Sequence, residues 1–251
     1  MERLVRPERA GNTYRESART RWWLFERARP ELYRAIAPLD RCIVIAQTSK
    51  TLLPAFVGTR MVLAHVLVVF AYGDDGHFGL LSSAFHWWWS ASRAPTMRSD
   101  LRYTPSDLFE TFPQPELTDA IGILGGELNA HRSGLMLDRQ EGLTKTYNRV
   151  HDPDARSDDI VRLRELHVQL DHAVRDAYGW DDLDLGHGFH ETKFGVRYTF
   201  APVPRQEVLD RLLELNHERY ADEGRQGLHT KSKPKPPTRP PAHRTLSLLD
   251  D

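Results

Sequence analysis

The amino-acid sequence predicts an α+β protein: a mixed β-sheet flanked by helices over residues 1–116, a mostly helical region over 117–224, and a disordered Lys/Pro-rich basic tail over 225–251. Three observations lead there. Runs rich in Val, Ile and Phe cluster between residues 41 and 72, the composition of half-buried strands. Two long 3.6-residue apolar patterns occupy the second half of the chain. Beyond Arg225, Lys and Pro replace the large apolar side chains, so that segment cannot bury enough surface to fold by itself.

Taken in order, residues 1–20 show no apolar period and are expected to be extended or frayed. "RWWLFERARPELYRAIAPL" reads as a short helical region interrupted at Pro30. "RCIVIAQ", "LLPAFVG" and "HVLVVFAY" are then three strands, and Asp residues after Gly73 start a helix from about Gly76 to Ala91. "PQP" at 113–115 marks the first strong boundary. Residues 117–137 form a helix weakened at Gly125–Gly126. In the clearest helix, Ile160, Leu163, Leu166, Leu170, Ala173 and Ala177 share one stripe, with Asp158 and Asp159 at its positive end. A Gly-rich bend leads to the strand "FGVRYTF", and residues 204–223 close the fold as an amphipathic helix.

Composition bounds the function. Lys and Arg number 34 against 35 Asp and Glu, a formal net charge of −1, which argues against a uniformly basic coat. The charge is unevenly spread, however: residues 1–34 hold nine arginines against five acids, and the tail holds six cations against two acids. A lone Cys42 excludes an internal disulfide and suits a reducing compartment. The Arg-rich start has no apolar signal-peptide core. The longest apolar stretch, "MVLAHVLVVFAY", is about half the ~20 residues of a membrane span. A cytoplasmic protein that does not enter membranes is expected.

No phosphate-cradling or dinucleotide glycine motif is present, nor the nucleophile elbow of hydrolases. The Asn/Asp-Pro-Pro-Tyr/Phe tetrapeptide of amino-methylating enzymes is absent too. No catalytic residue is therefore assigned. His151, Asp152, His187, His190 and Glu191 invite a metal reading, but their spacing fits neither the HExxH helix nor a Cys-based zinc pattern, and no metal is expected.

Two segments stand out as candidate contacts. Trp87, Trp88 and Trp89 on one helix point in three directions, so at least one is expected to be exposed or to touch a partner. Arg93, Arg98, Arg102 and Tyr103 follow in a polar loop, and guanidinium and hydroxyl groups are usual contacts to phosphates and base edges. The other reading is a domain core with solvated arginines around it. Residues 141–159 are dense in donors for a connection between helices, and Thr144–Arg149 either line a phosphate backbone or staple two helices.

"LDRCIVIAQTSKTLLPAFV", "LRYTPSDLFETFPQPE", "EGLTKTYNRVHDPDA" with "LRELHVQLDHAVRDAYGW", and "LGHGFHETKFGVRYTF" resemble, in this order, the C-terminal portion of very large bacterial adenine-N6 DNA methyltransferases. These belong to single-chain restriction–modification and phage-defence systems. The resemblance implies a partial target recognition domain over 1–116 and that family's C-terminal helical region over 117–224. It implies double-stranded DNA as partner, together with a methyltransferase domain encoded separately that would carry S-adenosylmethionine. No cofactor is expected in this chain, which alone would be inactive. Under it, Arg93, Arg98, Arg102 and Tyr103 are expected near base edges, with Ser49 and Lys50 beside them. Lys145, Asn148 and Arg149 are expected on phosphates, while Phe109 and Phe112 become packing residues. The competing reading is a protein-interaction module that docks through Trp22–Trp23 and Trp87–Trp89 onto a methyltransferase subunit, or a gene fragment without function.

Overall fold

The computed structural model describes residues 2–11, 16–23, 29–97 and 100–228. It opens with helices α1 (Glu2–Ala10), α2 (Glu16–Thr20) and α3 (Pro30–Ile36). The expected frayed start is thus helical: Arg6 pairs with Glu2 one turn away, and Arg9 donates to the Trp22 carbonyl at 2.7 Å. Strands β1 (Arg41–Ala46), β2 (Thr48–Ser49), β3 (Ala55–Gly58) and β4 (Leu67–Phe70) follow. Three of them form an antiparallel sheet in the order β3-β1-β4. Along β1 the side chains alternate between two covered faces, as the period of a strand requires. Cys42 and Val44 meet Ile36 of α3, whereas Ile43 and Ile45 enter the main core. Burial on both faces accounts for the unbroken apolar run.

Helices α4 (Asp75–Ser82) and α5 (Ala84–Arg93) occupy the stretch expected as one helix. Ser83 divides it: its backbone is extended, and its hydroxyl accepts from the His86 amide to cap α5. Strands β5 (Thr96–Met97) and β6 (Asp100–Arg102) pair with β2 in the order β2-β6-β5, and α6 (Pro105–Leu108) leads into the "PQP" segment.

Next come α7 (Asp119–Arg139), α8 (Leu143–Val150) and α9 (Asp158–Ala177). Gly125 was expected to weaken α7, yet the helix is continuous and the glycine is a contact point. A Cβ there would lie 2.1 Å from the Asp75 carbonyl oxygen, and one on Gly79 of α4 would lie 2.8 Å from that of Ile121. Only glycines permit the two helices to cross this closely. Arg139 closes α7 onto α9 through two bonds to Asp159, at 2.6 and 2.8 Å. That pairing holds the Asp159 carboxyl well below the usual carboxylate range.

The hairpin β7 (Gly188–Thr192) and β8 (Gly195–Thr199) and the long α10 (Pro202–Arg225) complete the described chain. The α+β class holds, with three small antiparallel sheets among the described residues in place of one mixed sheet. A single core runs across the "PQP" segment: Phe78, Phe85 and Trp89 pack in the same cluster as Ile121, Leu128 and Leu170. Of the tail expected to be disordered over 225–251, Arg225 ends α10 and residues 226–228 continue as a turn, while 229–251 lie outside the described residues. Among the described residues no helix is long and apolar enough to cross a membrane.

Candidate functional site

Residues 143–150 lie within the donor-dense stretch 141–159 expected as a connection between helices. They form α8 because their apolar positions recur at helical spacing: Thr146, Tyr147 and Val150 are buried, while Thr144, Lys145, Asn148 and Arg149 face outward. The turn after α8 is held from below. Arg164 of α9, buried, donates to the carbonyls of Arg149, Val150, Asp152 and Ala155 at 2.7–2.9 Å. One guanidinium thereby satisfies carbonyls that a helix end leaves without intrahelical partners.

Opposite α8 stands the β7–β8 hairpin. It turns through a two-residue loop, Lys193–Phe194, with Gly195 at φ 86°, a conformation L-residues rarely adopt. Between α8, the hairpin and the loop after β2 opens a cleft of about 720 Å³ lined by Lys50, Thr51, Asn148, Asp152, Lys193 and Arg197. Lys50, Asn148 and Lys193 are exposed, and Asp152 turns its carboxylate to the Asp154 amide at 3.0 Å.

Arg197 is the unusual member. It is 8% exposed, and no described carboxylate pairs with it. Its Nη2 donates to the Lys50 carbonyl at 3.1 Å, its Nη1 faces His151 Nε2 at 3.1 Å, and its Nε has no partner. The guanidinium lies 4.3 Å from the Trp87 ring centroid. Burial pulls its pKa down to about 10. His151 also meets the Tyr198 amide through Nδ1 at 3.2 Å. Both neighbours are donors, and a neutral imidazole can accept from only one of them. Burial first, and then Arg197, bring the His151 pKa down to about 3.

Beneath the cleft a cavity of about 70 Å³ is lined by Tyr147, His151, His167, Asp171 and His187 among others. His187 bonds Asp171 at 2.9 Å, Asp171 accepts from the Ala84 amide at 2.7 Å, and Tyr147 bonds His167 at 2.8 Å. Burial brings the His167 pKa to about 4. Among the described residues no group of three His, Cys, Asp or Glu is placed to hold a metal.

The other candidate residues separate into two groups. Ser49 and Arg102 share the β2–β6 ladder, where Thr48 pairs with Arg102, and Arg102 is exposed. Ser49 Oγ is held by Thr51 Oγ1 at 3.1 Å. Lys145 is exposed, but Arg149 is already bound by both oxygens of Glu141, at 2.7 and 2.9 Å. Tyr103 is turned away from any partner: it is fully buried and its hydroxyl bonds His86 at 2.8 Å. Arg93 lies 3.3 Å from the Trp89 ring centroid and donates to Ser92. Arg98 lies outside the described residues.

The three tryptophans point three ways, yet all find protein. Trp87 packs on Phe194 and donates to the Thr51 carbonyl, Trp88 donates to Thr199, and Trp89 is enclosed beside Phe112. The expectation of an exposed tryptophan fails because the hairpin and α10, distant in sequence, wrap around α5. Lys193, Arg197 and His151 are the cleft residues that sequence reasoning missed or read otherwise. Their signal is faint: a lysine in a hairpin turn, an arginine on the strand that follows it, and a histidine next to Asp-Pro.

Among solved structures, the chain is similar to the type IIL restriction–modification enzyme MmeI in complex with DNA, with a TM-score of 0.57 and 19% identity, over 86% of this chain and 26% of that one. The likeness is one of fold, and the chain spans about a quarter of the length of the enzyme it matches. No protein-family model matches the chain. No curated protein matches it either.

Proposed function

We propose that this chain, whose fold recurs within a restriction–modification enzyme solved with DNA, is a DNA-recognition part of an adenine methylation or restriction system. The observation that carries the reading is the cleft. Segments far apart in sequence bring Lys50, Lys193, Arg197 and Asn148 to one concave surface, and Arg102 stands exposed on the adjoining β2–β6 ladder. Cations and amide donors on a concave face suit a polyanionic backbone. The methyl donor S-adenosylmethionine belongs, in this reading, to a separate methyltransferase domain, and this chain supplies position and sequence preference.

Duplex binding measured by fluorescence anisotropy across a salt series tests the reading, with the chain alone and with a methyltransferase domain of the resembled family supplied in trans. Arg102→Ala should cost about 1–3 kcal/mol on the preferred duplex and relax one position. Lys145→Ala should weaken all duplexes alike and lower the salt slope by about one unit. Absence of duplex binding in both formats rejects the reading.

The docking alternative retains only its N-terminal half. Trp87–Trp89 are packed, but Trp23 is 54% exposed and α1 buries no residue. Under that reading Trp23→Ala weakens assembly with the methyltransferase domain, while Arg102→Ala leaves DNA affinity unaltered.

A further inference from the structure

An arginine carries five N–H donors and cannot shed its charge at neutral pH. Burying such a charge without a compensating anion is costly. Arg197 is more than nine-tenths buried, and its two hydrogen-bonding neighbours, the Lys50 carbonyl and His151, are both neutral. Since His151 cannot accept from both Arg197 and the Tyr198 amide, the guanidinium or that amide is further short of an acceptor. The Trp87 face offsets part of the cost, as cation–π contacts do, but supplies no hydrogen-bond acceptor. Arg132 is similarly buried with one nitrogen unpartnered, yet it borders neither cavity. Arg197 differs in opening onto a cleft flanked by two exposed lysines.

We infer that this cleft is a phosphate site, with Arg197 as its anchor, Lys50 and Lys193 as flanking cations and the Asn148 amide as a further donor. A tetrahedral oxyanion supplies what the geometry lacks: negative charge against a buried guanidinium and acceptors for its spare N–H groups. The lysines stand on separate elements, one on the loop after β2 and one at the hairpin tip, so a bound phosphate would bridge the two segments. The same chemistry has two sources, a phosphodiester of duplex DNA or a free phosphate group. In its duplex form the inference rests on the function proposed above; as a phosphate site it does not.

The test uses the whole chain and a variant carrying Lys50→Ala and Lys193→Ala, both at exposed positions where folding should survive, with Arg197→Lys as a second variant checked by circular dichroism. Thermal melting is followed in inorganic phosphate and in chloride at matched ionic strength, and duplex binding by anisotropy across salt. Phosphate should raise the melting temperature of the parent chain above chloride, and the double variant should lose that increment. The double variant should also bind duplex about tenfold or more weakly, with a salt slope lower by about two units. A phosphate-specific increment with duplex affinity unchanged in the double variant identifies a free phosphate as the source and sustains the site. Phosphate stabilisation in a chain that binds no duplex at all sustains the site while rejecting DNA recognition. If phosphate acts no differently from chloride and neither variant alters duplex binding, the inference is overturned, even where Arg102→Ala still changes sequence preference.

Discussion

Two arginine-bearing regions of this molecule look alike in sequence and differ in what surrounds the guanidinium. At the end of α5, Arg93 lies 3.3 Å from the Trp89 ring centroid, and Tyr103 is sealed against His86. At the cleft, Arg197 lies against Trp87 as well, but its nitrogens meet a carbonyl and a neutral histidine, and the residue lines an opening together with two lysines. An aromatic face can hold a cation in either setting. What separates packing from binding is whether the guanidinium is left with donors to spare at the wall of an open cleft.

If the α5 region is core, its substitutions should act on stability. Trp89→Ala should cost about 3–5 kcal/mol in chemical denaturation, as truncation of enclosed aromatics does, whereas Lys145→Ala on the exposed face of α8 should leave the midpoint unchanged. A small loss at Trp89 would break the contrast.

Acid should sharpen it next. His86 on α5, with its pKa pulled down to about 4 by burial, and His151 and His167 around the smaller cavity, at about 3 and 4, are held neutral in the fold. Unfolded histidines take a proton near pH 6.5. Since the unfolded chain binds more protons below that value, stability is full above about pH 6.5 and falls as pH drops toward the folded pKa values. The slope approaches about 1.4 kcal/mol per pH unit for each such histidine. Denaturant midpoints taken across this window should decline, and His86→Gln should flatten part of that decline. A pH-independent midpoint would show that these side chains open to water.

The smallest expected effect compares two cations on α8. Arg149 is already engaged by Glu141, and that contact keeps the Glu141 carboxyl below its ordinary range. Arg149→Ala should therefore lower the DNA salt slope less than Lys145→Ala, and Glu141→Gln should raise it. Equal slopes for the two substitutions would mean that the ion pair yields to DNA.

Much of the fold was legible because it rests on local rules. The apolar runs of β1, β3 and β4, the stripe of α9 and the acidic start of that helix state their own geometry. The strand–helix order and the α+β class follow from short-range period and composition. The division of residues 76–91 was less legible, because a Ser that caps one helix looks the same in sequence as a Ser within another. Gly125 was misleading for a similar reason: a glycine reads as a helix weakener until a neighbouring helix is known to cross at that point.

The site depended on the tertiary structure to a far greater degree. Sequence alone marked Lys50, Arg102, Lys145 and Asn148 as candidates, because polar donors in connecting segments and the family resemblance pointed to them. It could not place Arg197 beside Lys50 and His151, which lie 147 and 46 positions away. Nor could it show that Trp88 and Trp89 would be buried and Trp87 packed against Phe194. Periodicity reports which face of an element is turned inward, but the identity of the opposing face depends on how distant segments pack. Whether a buried cation is answered by a carboxylate, a ring or an open cleft is decided by those long-range neighbours, and so only the folded chain sets Arg197 apart.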